Sequence, residues 1–425
     1  MSADIRAEAA RIVLAAWDTA GAGYSVLNGL EKSGEVGRDI DLLVPPGSSG
    51  KLLKIAREIL QQAGYRVATP SPIWGARIIA SSGEWDSMME FHTVTAVAWR
   101  NVVFAEWEVE QSRKTSFPEN YWASFAKQVL LPLLSNPTDK FTKSASVFRE
   151  LADNRDNIRA RCIDFLGEEK TTHLFNALEA SDPSLCNFFE LRRLAMARAA
   201  RRGPLQSAVR IVWQSLKQFI APFVPCAPII ALVGPDGVGK STILSELSSG
   251  SKSIFNKVIV RHWRPGLLPN LGGKPSAAGP ASPRRNAGRW PWLRVGYYFW
   301  DFLLGHWLKD RRDTALQRLV IYDRCALDMS VDPLRYGLSS ARPARWLALV
   351  TPKPDLTILL DGDPAAIHSR KAELSEDEIS IQLTAWRALY DAGKIGARID
   401  TSAPVETVVK HLRELILDTL MKKLQ

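Results

Sequence analysis

Gly234-Pro235-Asp236-Gly237-Val238-Gly239-Lys240-Ser241-Thr242 spells G-x-x-x-x-G-K-[ST] and governs how the rest of the chain is read. Glycines at these spacings let successive backbone N–H groups turn inward around an anion. Lys240 then reaches the β- and γ-phosphates of a nucleotide, and the Ser241 hydroxyl can ligate Mg²⁺. The flanks fit. Ile229-Ile230-Ala231-Leu232-Val233 is a short apolar run of the kind that forms a buried parallel strand. Ser241 to Leu247 reads as the first turns of a helix, whose N-terminal dipole favours phosphate. Residues Gly234, Asp236, Gly237, Val238, Gly239, Lys240, Ser241 and Thr242 are thus expected to hold ATP with Mg²⁺.

From Pro225 onward, apolar strand-like runs alternate with helical patterns, the signature of a parallel α/β sheet. Lys257–Val260, Leu319–Tyr322 and Asp355–Leu360 are the expected second, third and fourth strands after the loop strand. Between the second and third, Pro265 to Pro291 is rich in Pro, Gly, Ser and Ala and reads as either disordered or a flap over the site. Upstream, residues 1–112 mix helical and strand patterns as an α+β domain. Residues 113–224 are helical by periodicity and read as a connector. Pro204, Pro222, Pro225 and Pro228 punctuate the passage into 225–425.

The 425 residues are too many for one core, and 46% hydrophobic with 24% charged residues is the balance of a folded globular chain. Four scattered cysteines without a C-x-x-C pair argue against a disulfide framework or a zinc site and favour the reducing cytoplasm. Asp4, Arg6, Glu8 and Arg11 break the apolar N-terminus, so it does not read as a signal peptide. Val295–Leu308 is the nearest approach to a membrane span, but it is short and carries Asp301 and His306. A net charge of +10 favours polyanionic partners. The cations concentrate at Arg192–Arg202 and Arg284–Arg312, read first as a solvated helix face and a phosphate-handling loop. No helix-turn-helix, zinc-finger or RNP signature points to nucleic acid.

A phosphate loop needs a carboxylate on a neighbouring strand to organise Mg²⁺. Asp323 stands at the end of the third strand, where open α/β sheets bind ligands. Arg324 follows, a planar charged fork suited to a phosphate on the acceptor. In combination these residues resemble the thymidylate kinase-like branch of P-loop kinases. The resemblance covers about 226–425 and includes Asp236-Gly237 in the loop, Asp323-Arg324, His262-Trp263-Arg264-Pro265, Pro354–Asp361 and Ser369–Glu373. It is nearest to a subgroup with Asp-Arg, a nearby Asp and Val-Asp-Pro-x-Arg-Tyr, here Asp323-Arg324, Asp328 and Val331–Tyr336. The resemblance implies that Asp236 meets a substrate hydroxyl and that Asp323 serves the metal or the acceptor. It implies that Arg264 and Arg324 hold an acceptor phosphate, that Asp328 and Arg335 line the acceptor site, and that Arg370 closes over the transferred group. Arg370 and Lys371 read equally well as a solvated helix face. Cys325 in place of Tyr, the long insert and the lack of Glu after Arg264 point away from thymidylate itself. The expected acceptor is a small phosphorylated or hydroxylated metabolite.

In the N-terminal part, Gly29 precedes Arg38-Asp39-Ile40-Asp41-Leu42 by about ten residues. Asp39 and Asp41 lie two apart on a strand and share a face. Glu90, on the expected strand Ser87–His92, can supply a third carboxylate, and such a set can hold the Mg²⁺ of a nucleotidyl transfer. The arrangement resembles the nucleotidyltransferase superfamily over about 1–200, with Leu30 and Asn101 where that family has small residues. A working and a retired, structural site both stay open. His92 reads as a partly buried strand residue, and Glu106, Glu108 and Glu110 as the solvated face of a strand. Trp290, Trp292, Trp300 and Trp307, lying among arginines, can form an apolar and basic wall for an acceptor or a membrane surface, which would make a cytoplasmic protein peripheral to the bilayer. Two rivals to a kinase remain: a P-loop ATPase switch coupled to a partner, and a surface adaptor using the basic region.

Overall fold

The computed structural model describes residues 2–30, 36–70, 76–99, 102–106, 121–202, 226–249, 255–269, 291–336, 341–371 and 374–424, with positions 212, 216, 220, 223, 224 and 338. The expected flap (270–290), Arg100, Asn101, Glu108, Glu110, Trp290, and Ala372-Glu373 of the expected lid lie outside the described residues. The chain forms two compact units, Met1–Phe219 and Ile220–Gln425.

In the first unit a five-stranded mixed sheet has the order β1-β2-β5-β4-β3. Its strands are β1 (Ser25–Leu30), β2 (Val36–Leu43), β3 (Arg66–Ala68), β4 (Ala76–Ser81) and β5 (Met89–Val94). β2 and β5 run parallel, and the other pairs are antiparallel. The alternation of side chains divides the sheet. Ile40, Leu42, Ile78, Ala80, Met89 and Phe91 face one core, closed by helices Ser2–Thr19 and Ser49–Gln62. Those helices bury Ala9, Val13, Leu14 and Trp17, and Leu52, Leu53, Ala56 and Leu60, at the i, i+3/i+4 spacing of an amphipathic stripe. On the opposite face Leu27 and Leu43 join the core of the helices that follow residue 121, together with Phe125, Val129 and Phe148. A small hairpin, β6 (Ala96–Trp99) with β7 (Val102–Glu106), contributes Val97 and Phe104 to the same core.

The second unit is built on a fully parallel sheet of order β12-β11-β8-β10-β9. The strands are β8 (Ile229–Val233), β9 (Lys257–His262), β10 (Arg318–Asp323), β11 (Leu356–Asp361) and β12 (Ala397–Asp400). The central strand β8 is buried at all five positions, which explains its unbroken apolar run. Its C-terminal end lies between those of β10 and β11, so the loop at Gly234 emerges where chain order reverses direction across the sheet. Helix Glu376–Asp391 begins with a reciprocal capping box between Ser375 and Glu378 and buries Trp386 against the sheet. Among the described residues, no helix is long and apolar enough to cross a membrane.

Candidate phosphate-binding site

The loop after β8 bends through Gly234, Gly237 and Gly239 at φ of 145°, 87° and 102° before helix Lys240–Ser249 begins. At Gly234 only glycine fits, because a Cβ there would stand 2.6 Å from the Leu360 carbonyl oxygen of β11. The loop is therefore pressed against the neighbouring strand and leads directly into the helix N-terminus. Lys240 is almost fully buried, and its ammonium donates to the Gly234 and Pro235 carbonyls at 2.8 Å each. Burial, and then the Arg324 charge, push its pKa down to about 8, against the pull of Asp236, Asp323 and Asp328.

Three cations and three carboxylates meet beside this loop. Asp236 accepts from both Arg324 and Arg335. Burial alone would raise its pKa, but Arg324, Lys240 and Arg335 hold it down at about 2. Arg324 also reaches Asp328 Oδ1 at 3.3 Å, and Asp328 Oδ2 accepts the Cys325 N–H at 3.1 Å. Burial works against the Arg324 charge, yet Asp328, Asp236 and Asp323 keep its pKa above the usual value. For the deeply buried Asp328, burial outweighs the cations and raises the pKa.

Asp323 and Arg324 are aimed by the backbone. Arg324 sits at φ 78° and donates its N–H to Leu232 O at 3.0 Å, turning the chain off β10 toward the loop strand. Trp263, at the end of β9, sits at φ 41° and donates to Asp323 O at 2.9 Å. Left-handed backbone at a non-glycine costs about 1–3 kcal/mol and persists where surroundings impose it. Asp323 faces His262 across 3.4 Å, while its Oδ1 is buried without a hydrogen-bond partner among the described residues. The Tyr336 hydroxyl is likewise buried with no partner among the described residues, and its ring packs against Trp263 at 5.2 Å. Two orphaned polar atoms beside a charged cluster fit a polar ligand. The sequence motif contained Tyr336 but assigned it no role.

Other expected residues are engaged elsewhere. Arg264 is buried in a pair with Asp301 at 2.8 Å and donates to Leu268 O and Pro269 O. Asp301 also accepts from the N–H groups of Gly266 and Leu268, so the pair braces the turn after β9 against helix Pro291–Gly305. Arg370 donates to Thr401 O at 3.1 Å. The Asp361/Asp363 repeat is structural. Asp361 receives a two-pronged contact from Arg387 with Arg398 beside it, and Asp363 caps helix Pro364–Arg370. A cavity of about 700 Å³ lies in this unit too, lined in part by Ile229, Phe302, His306, Tyr322 and Leu349, but none of the loop residues 234–242 line it.

In the first unit, Asp39 stands opposite Glu90 and Asp41 opposite His92 in the parallel β2–β5 register, so all four share one face. Arg77 takes Glu90 at 2.8 Å in a buried pair. Asp41 meets His92 at 3.1 Å and Lys127 at 3.0 Å. Although burial works the other way, these two hold the Asp41 pKa down. Restricted hydration, then Glu90 and Asp41, raise that of Asp39. Neither Arg77 nor Lys127 was legible in the sequence: Lys127 is presented by a π turn, Ala126–Leu130, inside the helical run 121–135. Among the described residues, no group of three His, Cys, Asp or Glu side chains is arranged to hold a metal ion. Gly29 has φ 92°, and a Cβ there would stand 2.2 Å from Asp39 O, so glycine is what lets β1 close on β2.

No protein-family model and no curated protein matches this chain. Among solved structures, the chain is similar to a thymidylate kinase from Candida albicans at 16% identity and TM-score 0.30, over 47% of this chain and 94% of that one. A thymidylate kinase from Ehrlichia chaffeensis gives 16% and 0.29, over 45% and 100%. A deoxyadenosine kinase from M. mycoides with bound dATP gives 16% and 0.27, over 45% and 98%. Likenesses this distant carry no weight on chemistry, which rests on the side chains gathered at the loop.

Proposed function

We propose that residues 225–425 form an ATP- and Mg²⁺-dependent kinase that transfers a phosphoryl group to a small phosphorylated or hydroxylated metabolite. The observation that carries this reading is the gathering of Lys240, Arg324 and Arg335 with Asp236 and Asp328 around a glycine loop, next to a buried carboxylate oxygen of Asp323 that no group among the described residues satisfies. Phosphoryl transfer asks mainly for positioning and for neutralisation of charge on the phosphoryl oxygens, and these are the parts for it. The loop amides and Lys240 would cradle the triphosphate. Ser241 and Asp323 are the residues that would hold Mg²⁺, which when bound supplies charge neutralisation at the phosphates. Arg324 and Arg335, held in place by Asp236, are the guanidinium forks for the acceptor.

A screen of nucleoside monophosphates and sugar phosphates, scored by ADP release, tests the proposal. A kinase turns over little ATP until its acceptor is supplied, and Arg324→Ala then retains ATP binding while transfer falls by roughly 10²–10³. Partner-stimulated hydrolysis indifferent to Arg324 would instead identify an ATPase switch. For the first unit, a second, nucleotidyl-transfer site on the face shared by Asp39, Asp41 and Glu90 would require Arg77 and Lys127 to release Glu90 and Asp41, which they pair in this structure. Its experiment is incorporation of label from α-labelled nucleoside triphosphates, abolished by Asp39→Asn.

A further inference from the structure

Helix Pro291–Gly305 and its continuation through the π turn His306–Asp310 carry an exposed apolar stripe, partly met at Trp307 by the Phe223 ring at 5.4 Å. Trp292, Leu293, Trp300, Trp307 and Leu308 are exposed along one side, Trp300 by 54%. The stripe continues onto a second helix. Trp346 of Ala341–Val350 meets the Trp292 ring at 6.1 Å and the Phe299 ring at 5.9 Å. Beyond it, Leu349 is 63% exposed and Val350 stands beside it. On Ala341–Val350 the remaining exposed positions are Arg342 and Arg345, so this face consists of three apolar side chains edged by two guanidinium groups.

Charge decides what such a surface meets. Arg312 is exposed like Arg342 and Arg345, and among the described residues none of the three has an ion-pair partner. Lys309 donates to the backbone carbonyl of Gly266, and the Arg311 guanidinium lies over the Trp307 ring at 4.8 Å. The acids of the same stretch are withdrawn: Asp301 and Asp310 are buried, and Asp313 is paired with Arg261 and Arg318. A second copy of the chain on this patch would bring like-charged rims together. We infer that this face docks on an anionic lipid bilayer, with the tryptophans and leucines entering the headgroup boundary and the rim arginines meeting lipid phosphates and carboxylates. Indole rings suit that boundary, being apolar in body and polar at one edge. The inference does not depend on the reaction proposed above.

The test is flotation of the full chain with phosphatidylcholine vesicles, with and without roughly one-third phosphatidylserine. Binding is expected to the anionic vesicles alone and to weaken in high salt. Arg342→Ala/Arg345→Ala should weaken it about 30-fold, from the usual contribution of a cation near such a surface. Trp300→Ser/Trp346→Ser should reduce it at least as much. Quenching of wild-type tryptophan emission by doxyl-labelled lipid reports insertion without any variant, so a misfolded variant does not leave the matter open. No flotation with the anionic vesicles, no quenching, or tryptophan variants that float like wild type would overturn the inference. So would a wild-type dimer that the same substitutions dissociate, in a chain without vesicle affinity.

Discussion

Lys240 makes a prediction in which stability and binding come apart. Its pKa falls from 10.5 to about 8 in the folded chain, so keeping the ammonium charged there at neutral pH costs about 3 kcal/mol. Replacement by methionine preserves the stem and removes the charge. It also removes the charge-assisted bonds to Gly234 O and Pro235 O, a loss of about 1.5 kcal/mol each. The free variant should therefore be about as stable as wild type, while ATP binding weakens by roughly 10- to 150-fold for want of a charge-assisted contact. The pH profile supplies a second signature. Because the folded pKa lies below the unfolded one, the folded state binds fewer protons, and wild-type stability climbs as pH rises from about 8 to 10.5. Lys240→Met should lack that slope. Urea titration with pulse labelling of amides in β8 and β10 measures stability, and isothermal titration with ATP measures binding. A variant that loses about 3 kcal/mol or more, as when a structural buried pair is broken, yet still binds ATP would refute the argument.

Three further outcomes follow from other parts of the molecule. Asp236, held at about 2 against 3.8, contributes about 2 kcal/mol that is present above pH 4 and lost as pH falls toward 2. Acid titration of Asp236→Asn by the same labelling should lack this component. Gly29→Ala places a methyl group against Asp39 O at a left-handed position and should cost more than about 2 kcal/mol, seen as faster exchange in β1 and β2. Asp39→Asn/Asp41→Asn should leave phosphoryl transfer unchanged, and a large drop in ADP release would mean that the two units share one reaction.

The parallel sheet could be read from the sequence because its strands are apolar on both faces. β8 begins and ends where the Ile229–Val233 run does, and β9, β10 and β11 lie within two residues of their expected bounds. β12 was not anticipated. Ala397-Arg398-Ile399-Asp400 is a four-residue edge strand with two charged side chains and one buried apolar one, too little pattern to register. Motif spacing named Lys240, Asp236 and Arg324, but their partners are set by tertiary geometry. Nothing in His262-Trp263-Arg264-Pro265 discloses that Arg264 turns inward to Asp301, 37 residues away. Likewise, no local pattern brings Lys127 to Asp41, since a π turn changes which helical face a residue occupies.

The paired left-handed residues Trp263 and Arg324 have an evolutionary consequence. Glycine would relax both strand ends, so an indole and a guanidinium held there each keep about 1–3 kcal/mol of backbone strain in return for a side chain at that place. With each residue's amide anchored to the adjoining strand, the acceptor side has little room to drift at 323–328. Divergence toward differently shaped acceptors would then concentrate in the turn that Arg264 and Asp301 brace.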